Sequence, residues 1–252
     1  MTYCLAIKVN SGMVLASDSR TNAGMDHINT YSKMYAFDMP GARSFVLLSA
    51  GNLATTQAVI NLIERDLEQD APTSLNTVAH LFEAADYVGN LSCEVQRRHS
   101  GGSQRSGVNL ETTFILGGQI EGQAQELLLI YPEGNYIAAP PSKPYLQIGE
   151  IKYGKPILDR VVRPETSLGD AARCALVSLD STMRSNVSVG APFELAIYEA
   201  GTLSLGHRML LDVDDPLYID IQQIWNKVLI DGINALPQFD WEAGLQAPSA
   251  GG

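Results

Sequence analysis

Several familiar chemistries are missing from this sequence. Its three cysteines, Cys4, Cys93 and Cys174, are odd in number, widely spaced and free of any CxxC pair. They suit neither a disulfide framework nor a zinc knuckle, and a reducing compartment fits them. The four histidines, His27, His80, His99 and His207, show no metal-ligand spacing, and neither a Walker loop nor a GxSxG elbow occurs. No metal and no cofactor are therefore expected. Positive charge is scarce, with 17 Lys and Arg against 28 Asp and Glu and a net charge of -11. Such a surface repels phosphate backbones, so nucleic acid is not an expected partner. No apolar run approaches the roughly 20 residues that span a bilayer, and the amino terminus lacks a basic region followed by an apolar stretch and cleavage site. The expectation is a cytoplasmic chain without a membrane span. There Met1, followed by the small Thr2, is open to removal.

With 252 residues and 45% hydrophobic content, the chain can bury a full core. Residues 1–236 read as a single domain, and 237–252, rich in Gly, Ser, Pro and Ala, as a flexible tail. Residues 2–9 and 13–19 are apolar strands around the short loop Asn10-Ser11-Gly12, a β-hairpin. Strands are further predicted at Thr30 to Phe37 and Phe45 to Leu48, the latter closing at Ala50-Gly51. Helical spacing then predicts helices from Asn52 to Leu67 and from Ser74 to Arg98, with a loop from His99 to Gly107. Strands return at Thr112 to Leu116, Glu126 to Tyr131 and Tyr136 to Ala139. A helix from Ser167 to Arg184 opens on a Ser167-x-x-Asp170 capping box. Strands at Phe193 to Glu199 and Ser204 to Met209 precede a last helix from Pro216 to Ala235. This order suggests an α+β fold of two antiparallel sheets packed face to face between helix layers.

The chemistry is concentrated near the start. Once Met1 is gone, Thr2 carries both a hydroxyl nucleophile and a free α-amine, whose reference pKa of about 7.7–8.0 suits it to accept the hydroxyl proton. Taken alone, Thr2 is more readily read as a β-branched strand residue. Closing the hairpin, however, brings Asp18 close to it. Alternation through Tyr31, Lys33, Tyr35 and Phe37 puts the Lys33 ammonium on an aromatic face, where it needs a partner, and Asp18 is the natural one. Gly51 lies where a strand gives way to a helix, whose first amides point outward and suit an oxyanion.

Thr2, Asp18-Ser19-Arg20, Lys33 and Ser49-Ala50-Gly51 followed by a helix together resemble the proteasome β-subunit and bacterial HslV family of Ntn hydrolases. The runs from Ser17 to Gly24 and from Leu48 to Ala54 look closest to the bacterial subgroup called Anbu, the ancestral β-subunit. The resemblance implies a four-layer αββα sandwich, amide hydrolysis through an acyl-enzyme ester, and a self-compartmentalising homo-oligomer, ring or open spiral, acting on peptides or unfolded proteins. It implies Thr2 as nucleophile and base, Asp18 and Lys33 as electrostatic support, and the Gly51 amide as oxyanion donor. It places Thr21, Asn22 and Ser49 along the substrate cleft, with Arg20, Ser185, Asn186 and Ser188 in support. The chain departs from the family where a serine usually follows Ile-Gly, since Glu150 stands there, and where an aspartate is usual, since Asn186 does. A non-catalytic scaffold subunit and an amidase for a small or modified peptide are the rival readings.

Overall fold

The amino-terminal hairpin closes through Asn10 and Ser11, which join β1 (Tyr3–Val9) to β2 (Gly12–Asp18) with Cys4 opposite Ser17 and Val9 opposite Gly12. A Cβ on Gly12 would lie 2.0 Å from the Tyr198 carbonyl oxygen, so only glycine fits the strand start,. The structure, a computed structural model, describes residues 2–22 and 28–242, except for the side chains of residues 22, 28 and 102–106. After the hairpin come β3 (Arg20–Asn22), β4 (Ile28–Thr30), β5 (Met34–Met39), β6 (Arg43–Gly51), α1 (Leu53–Glu68) and α2 (Leu81–Ser106). The chain continues through β7 (Thr112–Ile120), β8 (Glu126–Ile130), β9 (Tyr136–Ala138), β10 (Tyr145–Gly149), α3 (Lys155–Val161), α4 (Leu168–Ser185), β11 (Phe193–Glu199), β12 (His207–Leu211) and α5 (Pro216–Asn234).

Two five-stranded antiparallel sheets result, ordered β10-β1-β2-β11-β12 and β5-β6-β7-β8-β9, with β3 and β4 paired beside them. Strand alternation gives each sheet two apolar faces. Ala6, Leu15, Val46, Leu48, Ile115 and Leu146 fill the space between the sheets. Leu5, Ile7, Phe193 and Leu195 on the other face of the first sheet meet Ala171, Ala175 and Leu179 of α4. Leu47, Phe114 and Leu116 on the second meet Val59 and Ile63 of α1 and Ala84 and Val88 of α2. This is the four-layer αββα sandwich of the α+β class.

The structure corrects several boundaries, each for a local reason. The helix expected from Ser74 starts at Leu81, because Ser74 and Thr77 close a turn on each other and Glu83 turns back to accept the Ala79 N–H at 2.7 Å, capping the helix there,. Its other end passes through the expected loop to Ser106, and Gly107, at φ 68°, stops it in the left-handed region,. The strand expected from Thr30 begins only at Met34, since the Ser32 hydroxyl takes the Met34 N–H and displaces the ladder,. Tyr31 is consequently exposed, and Lys33 does not sit among three rings. The last strand lies later than expected, at His207–Leu211. β10 and α3 fall in a stretch that periodicity did not resolve. The Ser167 cap, by contrast, is in place, its hydroxyl oxygen accepting the Asp170 N–H at 3.0 Å.

α5 packs through Tyr218, whose hydroxyl donates to Asp180 at 2.8 Å. Its Ile224, Val228, Ile230 and Ile233 face outward and are exposed. Among the described residues no helix is long and apolar enough to cross a membrane.

Phe114 is fully buried at the centre of the second sheet's helix-facing core. Phe114→Ala is expected to destabilise the fold by about 3–5 kcal/mol in urea unfolding; a loss below about 1 kcal/mol would mean that this face does not carry the core.

Candidate active site

Thr2 precedes the first strand and is held through its main chain on both sides. The next residue, Tyr3, donates its N–H to Asp18 Oδ1 at 2.9 Å, and the Thr2 carbonyl accepts the Glu150 N–H at 2.7 Å. Gly149, at φ 82°, makes the second contact possible, because a Cβ there would fall 1.9 Å from the Thr2 carbonyl oxygen. Tyr3 anchors the strand from below. Its hydroxyl is 2.7 Å from Ser178 Oγ and accepts from Gln147 Nε2 at 2.5 Å, and burial pushes it up to about 12.

Asp18 is fully buried at the end of β2, and Lys33, from the segment before β5, reaches it, Nζ to Oδ1 2.6 Å. Two charges are removed from water together, which is tolerated only where their remaining hydrogen bonds are met. They are met here. Asp18 Oδ1 also takes the Tyr3 N–H, Oδ2 takes the Gly190 N–H at 3.3 Å, and Lys33 Nζ donates a second bond to the Arg20 carbonyl at 2.7 Å. Burial pushes the Asp18 carboxyl up from its ordinary value, while the Lys33 ammonium and the two N–H donors pull it down,. The predicted pairing of Asp18 with Lys33 is thus present in the structure.

Glu194 on β11 escaped sequence reasoning, since nothing in Phe193 to Glu199 distinguishes it from an outward strand position. Its carboxylate accepts from Ser17 Oγ at 3.2 Å, from Ser32 Oγ at 2.8 Å and from the Lys33 N–H at 3.2 Å. It therefore ties the irregular segment carrying Lys33 to the first sheet.

Gly51 closes β6 at φ 125°, and a Cβ there would come 2.4 Å from the Glu111 carbonyl oxygen. The Ser49 N–H donates to the Lys33 carbonyl at 3.0 Å. In an antiparallel strand, N–H groups two residues apart point the same way, so the Gly51 N–H also faces the Lys33 side, past the first β5 pair, Met34 with Leu48. This differs from the expected helix-terminus amide, because Asn52, not Gly51, caps α1 by accepting the Thr55 N–H at 3.0 Å. Ser49 is buried on the same strand, with Cys4 Sγ against its carbonyl at 3.5 Å. Thr21, half-buried, pairs with Asn29 across the β3–β4 ladder. Asn22 pairs there through its backbone, its side chain lying outside the described residues, as do Met1 and His27.

The segment after α4 forms the remaining wall. Asn186 Oδ1 accepts from the Ser188 N–H at 3.0 Å and from Ser188 Oγ at 2.6 Å, while its Nδ2 donates to Glu150 Oε2 at 3.1 Å. The Arg20 guanidinium donates to the Val187 carbonyl at 2.9 Å and lies over Gly190. Ser185, the last residue of α4, is exposed and stands outside this network. The structure thus joins Thr2, Asp18, Arg20, Lys33, Asn186 and Ser188, with Ser49 and Gly51 on the adjacent strand. Among the described residues no group of three or more His, Cys, Asp or Glu side chains is placed to hold a metal ion.

A family model described as "Proteasome subunit" matches residues 2–198. The chain is similar to the solved structure of Anbu (ancestral beta-subunit) from Yersinia bercovieri, with 44% identity over 94% of this chain and 99% of that one and a TM-score of 0.89. It is similar to the Anbu (Gly-1) mutant from Hyphomicrobium sp. strain MC1, with 44% identity over 95% and 100% and a TM-score of 0.88. A helical assembly of the Anbu complex from Pseudomonas aeruginosa gives 44% identity over 98% and 99% and a TM-score of 0.89. Among curated proteins none matches.

Two substitutions probe this geometry. Lys33→Met leaves the Asp18 carboxylate buried without its cation and is expected to destabilise the fold by about 3–5 kcal/mol in urea unfolding, whereas a neutral effect would show the pair to be wetter than its burial implies. Gly149→Ala must push Thr2 off the β10 edge, and exchange protection of the Glu150 N–H should fall with it; unchanged protection would contradict the contact.

Proposed function

The chain belongs to the proteasome subunit family, alongside the Anbu (ancestral β-subunit) proteins, and on that footing we propose that it is an amino-terminal-threonine peptidase acting once Met1 is removed. The observation that carries the proposal is the position of Asp18, whose one oxygen accepts both the Tyr3 N–H and the Lys33 ammonium. A cation is thereby fixed next to the backbone of Thr2 in a site screened from water, where its field counts for most.

The α-amine of Thr2 takes the proton from its own Oγ, and the Lys33 ammonium favours the alkoxide. Oγ attacks the carbonyl carbon of a peptide bond, and the negative charge moves to the carbonyl oxygen, toward the Gly51 N–H. Collapse of the tetrahedral adduct breaks the C–N bond. The amine product leaves with the proton that the Thr2 ammonium held, and the acyl group stays on Oγ as an ester. Water then attacks the ester with the amine again as base, releasing the acid. In this reading Thr21, Asn22 and Ser49 line the cleft, and Arg20, Asn186 and Ser188 hold its wall.

The same reading makes the protein a cytoplasmic subunit of a homo-oligomer. A row of exposed apolar side chains along α5 supports self-association,, and the Pseudomonas aeruginosa Anbu relative forms a helical assembly.

The test is the intact mass of the purified protein before and after incubation with a β-lactone. Loss of Met1, one adduct per chain on Thr2, none on Thr2→Ala, and a fall of peptidase activity in that variant of at least about a thousandfold are expected. Retained Met1 with no adduct would leave a scaffold subunit as the reading.

A further inference from the structure

Glu150 is a buried carboxylate, 8% exposed, and among the described residues it forms no ion pair with a lysine or arginine. Buried charges are as a rule paired, because an isolated one is strongly disfavoured away from water. Its setting is nonetheless specific. Asn186 Oδ1 takes both donors of Ser188, which fixes the orientation of the amide and turns Nδ2 toward Glu150 Oε2,. The backbone N–H of Glu150 meanwhile holds the Thr2 carbonyl at 2.7 Å. The carboxylate is therefore held by Asn186 on a residue whose backbone touches Thr2, across the Thr2–Tyr3 peptide from Asp18.

We propose that Glu150 is a positioning residue whose carboxylate is the counter-charge of the Thr2 α-ammonium, with Asn186 and Ser188 orienting it. The cation missing from the described side chains is the one that removal of Met1 creates. The inference deepens the peptidase reading and rests on it for its catalytic meaning. The other charged groups around Thr2 are already engaged: Asp18 with Lys33, Arg20 with the Val187 carbonyl, Glu194 with Ser17, Ser32 and the Lys33 N–H, and Asp180 on α4 with Arg184 and Tyr218. Cys4 and Tyr3 on β1 are both pushed up by burial and stay neutral near pH 7. Lys152, beyond β10, is exposed.

An anion beside the amine favours its protonated form, so the pKa lies above the ordinary value of about 7.7–8.0. The amine then accepts the Oγ proton more readily once free, at the expense of being free only at higher pH. Neutralising Glu150 shifts the titration down.

The experiment is an NMR pH titration of the Thr2 Cα and Cβ signals in 13C-threonine-labelled protein from which Met1 has been removed. Glu150→Gln is expected to lower the amine pKa by about one unit, and Glu150→Asp, which keeps the charge, by no more than a few tenths. Asn186→Ala, which frees the carboxylate without removing it, should move it in the same direction by less, and provides a second reading if the glutamine variant folds poorly. A pKa unchanged in Glu150→Gln, or lowered equally by the Asp and Gln variants, overturns the proposal. Absence of a β-lactone adduct in the unsubstituted protein would instead sink the peptidase reading and leave the titration result standing.

Discussion

The contact between Asp18 and Lys33 ties the end of β2 in the first sheet to the segment that leads into β5 of the second, and most of the site is arranged to make it tolerable. Asp18 ends β2 and Lys33 immediately precedes β5. With both side chains out of water, the attraction between them is offset by lost hydration unless each remaining lone pair and proton finds a partner. The pair's further partners come from three places in the chain, the Tyr3 N–H, the Arg20 carbonyl and the Gly190 N–H, while Glu194 holds the Lys33 backbone N–H. Each brings a functional segment with it. Tyr3 brings Thr2, Gly190 brings the loop of Asn186 and Ser188, and Glu194 brings β11. The ion pair is thus the point at which strands from both sheets agree on one geometry.

Thr2 is fixed by the same logic applied to backbone alone. Its position in an antiparallel ladder is set by register, and the two-residue turn at Asn10 and Ser11 leaves no freedom to slip, because a one-residue shift would turn every buried side chain of β1 to the wrong face,. Gly149 adds a steric condition, allowing the β10 backbone close enough for Glu150 to hold the Thr2 carbonyl. The position of Thr2 is therefore decided by hydrogen-bonded main chain, the stiffest material available.

Local chemistry was legible in the sequence where it acts over a few residues. The hairpin followed from its turn residues, although Gly12 already pairs with Val9 and the turn is one residue shorter than expected; the α4 cap followed from Ser167 and Asp170, and the pairing of Asp18 with Lys33 from a lysine that needs a partner. What was not legible is mediated at long range. β10 hides between Pro140, Pro141 and Pro144 and the turn at Gly149, and only its partner β1 makes a strand of it. The Ser74 segment has helical spacing but enough hydroxyls to bond itself into a turn, a competition that periodicity does not register. Lys33 was placed correctly for a partly wrong reason, since its burial comes from Asp18 and Arg20 rather than from a ring of aromatics. Glu194 and the link between Glu150 and Asn186 join residues far apart in the chain, and no spacing rule exposes them.

The tie between Thr2 and Glu150 also has a consequence in time. Glu150, which holds the Thr2 carbonyl, is synthesised about 150 residues after it, which at about 5–20 residues per second is on the order of ten seconds later. Until β10 arrives, one edge of β1 has no neighbour, and the backbone ahead of Tyr3 hangs free for any processing enzyme to grip. Once the ladder closes, that grip is lost. In the peptidase reading, removal of Met1 and folding at this site are then in a race, and the order of strands along the chain gives removal the head start.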